Sequence, residues 1–199
     1  MPPNVRSLVD QAKVLFDESF GKDDENLSRY CVSAPGRVNL IGEHVDYTGG
    51  FVLPLAIGYN TVGYGCGAIV KKATHSKPNK CRVVSANNPV VEFYATSSLE
   101  PSSGHNKWAS YVQGVILQYL PDLNEDEALT FDLAIVGDVP LGSGLSSSAS
   151  LEVATAVFLE KIFDGVAYRS SKGGTTLSEK QRKMERAVRC KLAENIFCG

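Results

Sequence analysis

Arg37, Glu43, His44 and Asp46 fall within ten residues of one another in the stretch Ala34-Pro-Gly-Arg-Val-Asn-Leu-Ile-Gly-Glu-His-Val-Asp-Tyr-Thr-Gly-Gly50. Glycines and apolar residues surround them, and the segment reads as strand and turn. Charges this dense in such a setting are costly unless a polar group lies against them. Carboxylates and an imidazole can hold O–H groups, so a polyol with several hydroxyls is a natural ligand. The competing reading is a charged surface hairpin that binds nothing.

A second chemical segment is Val139-Pro-Leu-Gly-Ser-Gly-Leu-Ser-Ser-Ser-Ala-Ser150, between an expected strand and a strongly apolar helix. Glycines let the backbone turn tightly and approach a ligand. A helix start offers unpaired N–H groups and the positive end of a dipole, which favour an anion. The serines add hydroxyls, one of which can coordinate a metal. The pattern suits a nucleotide-phosphate cradle, or else a Gly/Ser turn with good helix caps. It is not a Walker A loop, which needs a lysine. Nor is it the dinucleotide fingerprint, because Ser147 stands where the third glycine would be. A nucleophilic serine would need the GxSxG elbow and a placed base. The elbow is absent, and none of His44, His75 and His105 is an evident partner.

The elements that position these segments follow from periodicity. Val5, Leu8, Val9, Ala12, Leu15, Phe16 and Phe20 recur at helical spacing, which predicts an amphipathic helix over 3–20. Tyr30 to Ser33 and Val38 to Ile41 read as two strands around a Pro35-Gly36 turn. The run Phe51–Ile57 reads as buried, with Pro54 arguing against a regular central strand. A glycine-containing strand follows over 60–70, then a basic connector over 71–80. Cys81 to Ser85 and Val90 to Tyr94 form a hairpin turned by Asn87-Asn88-Pro89. Trp108 to Leu120 is a helix with Trp108, Tyr111, Val112, Val115, Ile116 and Tyr119 on its core face. Alternation from Leu129 to Ile135 predicts the strand that feeds the Gly/Ser loop. That loop opens a helix to about Phe163. A Gly/Ser-rich linker precedes a last helix over 178–197, capped by Ser178.

Composition narrows the class. The 199 residues carry a net charge of −2, which gives no electrostatic case for nucleic acid or an anionic membrane. The five cysteines are scattered, with no CxxC pair, as expected of reduced thiols in a cytoplasmic protein. No apolar run approaches the roughly 20 residues of a membrane span.

Together the two segments resemble the galactokinase branch of the small-molecule kinases that include homoserine, mevalonate and phosphomevalonate kinases. Gly36-Arg-Val-Asn-Leu-Ile-Gly-Glu-His-Val-Asp-Tyr-Thr-Gly-Gly-Phe-Val-Leu-Pro54 resembles the family's sugar-binding signature, and Pro140-Leu-Gly-Ser-Gly-Leu-Ser-Ser-Ser-Ala149 its ATP loop. Ala193-Glu-Asn195 is similar to the family's AEH helix, and Trp108–Ile116 to the helix before its ATP loop. The resemblance implies an α+β fold, a mixed sheet with helices packed on one side. It implies a leading helix and connector (1–29) ahead of the N-terminal kinase domain (30–199), with the sugar segment at 34–57 and the ATP loop at 139–150. The implied reaction is phosphoryl transfer from MgATP to the anomeric hydroxyl of galactose.

Roles follow by resemblance. Arg37 would sit at the reacting centre near the sugar. Glu43, His44 and Asp46 would hold sugar hydroxyls, and Tyr47 would be structural. Gly142, Gly144, Ser146 and Ser147 would wrap the ATP phosphates, and Ser148 and Glu194 would ligate Mg²⁺. Two positions depart from the family: Ser143 where glycine is frequent, and Asn195 where histidine is common. The family's catalytic aspartate, in a Gly-x-x-Asp-Gln segment, and its C-terminal domain are not found in these residues. The chain is therefore expected to be an N-terminal portion, inactive or nearly so alone, of an enzyme that is monomeric and cytoplasmic when whole. Rival readings are a non-catalytic sugar- and ATP-binding sensor, or a kinase for N-acetylgalactosamine or arabinose.

Overall fold

A computed structural model describes residues 3–21, 27–42, 49–72, 80–164 and 177–198. Its centre is a five-stranded mixed sheet in the order β1-β2-β5-β3-β4. The strands are β1 (Arg29–Asn39), β2 (Pro54–Lys71), β3 (Cys81–Ser85), β4 (Val91–Phe93) and β5 (Glu127–Gly137). Neighbours run antiparallel except β3 and β5, which are parallel. The helices are α1 (Pro3–Phe20), α2 (Ala109–Tyr119), α3 (Ser147–Phe163) and α4 (Glu179–Ala193).

Period-two alternation divides each strand between two faces. Leu129, Phe131, Leu133 and Ile135 of β5 join Val83 of β3 and Val32 of β1 on one face. There they meet Val112, Val115, Ile116 and Tyr119 of α2 and Phe158, Leu159 and Ile162 of α3 in the main core. Three helices lie on this side, as expected of the family fold. The leading helix α1 lies across the opposite face. Its Val5, Leu8 and Ala12 cover Val62 and Val136, and Phe16 covers Cys66, Val84 and Ala134. The end of α1 is tied further by Arg29, which pairs with Asp17 and lies over the Phe16 ring.

The close seat of α3 on the sheet depends on β2. A Cβ at Gly65 would stand 2.2 Å from the Asp132 carbonyl oxygen and 3.1 Å from Phe158 Cε2. Only a residue without a side chain leaves that space to α3.

Three local readings change. Tyr30–Ser33 and Val38–Ile41 are not separate strands: β1 runs unbroken from Arg29 to Asn39, with a register shift between Pro35 and Arg37. Proline is tolerated here because β1 is an edge strand, where a missing N–H loses no ladder bond on the open side. Pro54 is the first residue of β2, another place where it breaks nothing. The apolar run at 51–57 is not buried: Phe51 is 99 % exposed, and Val52, Leu53 and Leu55 are also exposed. Two backbone bonds hold this ribbon, from Leu40 N–H to Leu53 O and from Leu53 N–H to Ile41 O. Among the described residues nothing covers it.

The last helix begins as expected. Ser178 Oγ accepts from Gln181 N–H while the Gln181 side chain accepts from Ser178 N–H, a reciprocal cap. Arg186 grips Glu160 of α3 with two bonds of 2.7 and 2.6 Å, and Tyr119 donates to the same carboxylate. These contacts fix α4, and hence its C-terminal end, against α2 and α3. No helix among the described residues is long and apolar enough to cross a membrane.

Candidate active site

Strand β5 leaves the sheet at Gly137 and enters the Gly/Ser loop under restraint. Asn60 N–H donates to the Asp138 carboxylate at 2.6 Å, and Asp138 N–H returns a bond to Asn60 O at 3.1 Å. The loop then turns through Gly142 (φ +68°) and Gly144 (φ +73°), both left-handed, with open space where a Cβ would stand. Ser143 donates to Pro140 O at 2.7 Å, so the serine in a position where relatives often carry glycine closes the turn internally. Ser146 also has left-handed backbone (φ 62°) and precedes the first turn of α3 without a side-chain cap. The Ser146 hydroxyl therefore caps none of the first N–H groups of α3, and unpaired donors at a helix start are what an anion cradle requires.

The loop is tied to β1 through the backbone. Arg37 N–H donates to Leu145 O at 3.0 Å. The approach is tight: a Cβ on Gly36 would meet that same carbonyl oxygen at 2.8 Å. The register shift at Pro35/Arg37 thus sets the Arg37 backbone on the loop, and its side chain is exposed. A second tie lies deeper. Ser150 Oγ is 2.8 Å from both Ala34 O and Thr61 Oγ1. Its one proton goes to the carbonyl, and the threonine hydroxyl supplies the other. We expect Ser150→Ala to lower stability by about 1–2 kcal/mol, because the Ala34 carbonyl is left unpaired in the interior. Urea unfolding measures this, and an unchanged midpoint would show the tie to be idle.

Residues far apart in sequence meet on the other side of α3. Ser148 Oγ donates to Glu194 Oε1 at 2.9 Å. Glu194 opens a π-helical turn, Glu194–Cys198, that continues α4. Such widened turns recur at functional sites. A hydroxyl and a carboxylate are hard oxygen donors, and Mg²⁺ takes few protein ligands of that kind, so the pair fits that ion. Among the described residues no group of three His, Cys, Asp or Glu side chains forms a denser metal cluster.

One buried group has no counterpart in the sequence reading. Glu152, one helical turn beyond Ser148, is 1 % exposed, and its Oε1 has no hydrogen-bond partner. Burial, with the Glu194 carboxylate adding, pushes its carboxyl up to about 8. A glutamate on the buried face of so apolar a helix was the available signal. Beneath it, burial foremost and the Glu152 charge next push the Cys190 thiol up to about 12.

Of the sequence-derived site residues, Arg37, Gly142, Gly144, Ser146, Ser147, Ser148 and Glu194 are therefore gathered around one loop and one helix start. Glu43, His44 and Asp46, with Tyr47, lie outside the described residues.

The mixed sheet, the loop and the helix it opens define the N-terminal domain of a GHMP small-molecule kinase. The description "GHMP kinases N terminal domain" matches residues 110–196, and "Galactokinase galactose-binding signature" matches residues 15–65. The chain belongs to the galactokinase family. It is 40 % identical over 201 residues to the Homo sapiens galactokinase, covering 99 % of this chain and 44 % of that protein. Against the Canis lupus familiaris galactokinase it is 43 % identical over 169 residues, 81 % of this chain and 38 % of the relative. Lactococcus lactis galactokinase, solved in complex with galactose, superposes with a TM-score of 0.69 at 30 % identity, over 98 % of this chain and 43 % of that one. Methanococcus jannaschii mevalonate kinase shares the fold alone, at a TM-score of 0.59 and 19 % identity over 84 % of this chain and 48 % of its own. The chain spans less than half the length of the curated relatives it matches.

Proposed function

We propose that this chain forms the acceptor and phosphate-loop half of a galactokinase site, in which MgATP phosphorylates the anomeric hydroxyl of galactose to give galactose 1-phosphate and ADP. The observation that carries this reading is the Ser148–Glu194 pair, 2.9 Å apart beside a loop whose backbone is hydrogen-bonded to Arg37. In this reading the pair supplies cation donors, the loop phosphate donors and Arg37 the guanidinium.

In this reading the bond from the γ-phosphorus to its bridging oxygen breaks as the sugar oxygen attacks, ADP leaves, and the hydroxyl proton passes to solvent or to a base outside these residues. Phosphoryl transfer of this kind asks the protein chiefly to position and to neutralise charge. The left-handed turns at Gly142 and Gly144 bring backbone close to the phosphates. Ser146, Ser147 and the first N–H groups of α3 donate to them. Arg37 stabilises negative charge developing on the transferred group. Glu43, His44 and Asp46 hold and orient the sugar hydroxyls. Ser148 and Glu194 would hold Mg²⁺, which supplies charge neutralisation when bound.

Binding of ATP to the purified chain, with Mg²⁺ and with EDTA, tests the reading. Wild type is expected to bind more tightly with Mg²⁺. Ser148→Ala and Glu194→Gln are expected to lose about tenfold or more of that gain, about 1.4 kcal/mol. Equal affinities with and without the cation in wild type would remove the assignment. Calorimetry with galactose, N-acetylgalactosamine and arabinose distinguishes the sugars. Galactose-dependent ADP release by the full-length gene product separates an enzyme from a sensor, which would bind without turnover.

A further inference from the structure

We infer that Glu152 is a positioning residue for the divalent cation at the Ser148–Glu194 pair, placing buried negative charge directly behind it. The inference rests on the cation reading of that pair and goes beyond it by adding a carboxyl behind the two ligands that no family motif assigned.

Three observations converge on it. Ser148 and Glu152 are four residues apart on α3, so they share one face of the helix, one turn above the other. Helical side chains lean toward the N-terminus, which carries the Glu152 carboxyl up toward the Ser148 turn. Across the seam, Cys190 and Glu194 repeat the same spacing on α4 and its continuation; the Glu194 charge acts on Glu152, and the Glu152 charge on Cys190. The carboxyl is 1 % exposed and its Oε1 is unpartnered.

A buried acid with an empty oxygen, set beside a second acid, is a poor structural element. Desolvation and like-charge repulsion both disfavour its ionised form, and a hydrogen-bonded or apolar side chain would pack there with less strain. A cation at the neighbouring pair offsets both penalties together. The side chain is thus suited to the cation-loaded site and unsuited to the empty one. Groups behind the direct ligands commonly tune metal affinity by about 10- to 100-fold.

Affinity for the non-hydrolysable ATP analogue AMP-PNP, measured on the whole chain with Mn²⁺ and with EDTA, provides the test. Glu152→Gln keeps the shape and removes the charge. It is expected to melt at or above the wild-type temperature and to bind metal-free AMP-PNP as wild type does. Its Mn²⁺-dependent gain should fall by about 10- to 100-fold. Glu152→Met, which keeps the packing and removes the carboxyl, should behave alike and serves if the glutamine variant does not fold. A full Mn²⁺ gain in either folded variant overturns the inference. So does an equal loss with and without Mn²⁺, which would mark a merely structural residue. If Ser148→Ala and Glu194→Gln lose the gain while Glu152→Gln retains it, the inference falls and the cation pair stands. If wild type shows no gain, both fall.

Discussion

Replacing Gly36 with valine is expected to separate β1 from the phosphate loop and to weaken ATP binding by about 10- to 100-fold, a 1.4–2.8 kcal/mol loss at 1.4 kcal/mol per decade. The first carbon of the new side chain would lie 2.8 Å from Leu145 O, 3.1 Å from Val139 Cγ1 and 3.2 Å from Ile57 Cδ1. Backbone cannot yield as a flexible side chain does, so the loop must move off the strand. The bond from Arg37 N–H to Leu145 O, 3.0 Å in the structure, is lost as it moves. Overpacking of this kind also lowers stability by about 1–3 kcal/mol. Gly58→Val is the matched control. It adds the same volume on β2 where a Cβ has nothing within 4 Å, and it should leave both quantities close to wild type. Calorimetric ATP titration and urea unfolding of the two variants read the difference. Equal behaviour would show that the β1–loop contact does not shape the phosphate site.

Arg189→Met should be the most destabilising single substitution in α4, at about 3–5 kcal/mol. Arg189 and Asp122 form a buried ion pair with bonds of 2.7 and 3.3 Å, and their side chains are 6 % and 0 % exposed. The guanidinium also lies 4.6 Å from the centre of the Tyr119 ring. Methionine fills similar volume but withdraws the charge that balances a fully buried carboxylate. Repairing the other half distinguishes this cause from lost packing. Arg189→Met combined with Asp122→Leu is expected to recover most of the loss, since apolar replacement of a whole buried pair is often neutral. A loss below about 1 kcal/mol for the single variant, the value of an exposed pair, would contradict the argument. Any folded fraction the single variant loses should lower apparent ATP affinity equally with and without Mg²⁺, so the Mg²⁺-dependent gain itself is expected to stay close to wild type.

Much of the secondary structure was legible in the residues. The stripe from Val112 to Tyr119, the alternation from Leu129 to Ile135 and the cap at Ser178 each depend on neighbours within a few positions, and each appears as read. The apolar run at 51–57 misled because apolar composition does not guarantee burial. Whether Phe51 or Leu53 is covered depends on what packs there, which lies outside the segment. Pro35 and Pro54 misled less by type than by place. Both are harmless once one lies on an edge strand and the other begins its strand.

The sequence by itself determined the family and the chemical parts: the charged run from Arg37 to Asp46, the glycines and serines of the loop, and a carboxylate near the end of the last helix. Residue types and short spacings carry that information, since a tight turn needs glycine and an anion site needs donors at a helix start. Only the tertiary structure decided which parts meet. The pairing of Ser148 with Glu194, which the family resemblance implied but no local pattern shows, the seat of Leu145 on Arg37 N–H and the buried place of Glu152 all depend on how α3 and α4 pack on the sheet. Those contacts join residues distant along the chain. No local periodicity encodes them, because their geometry is set by the summed packing of the core.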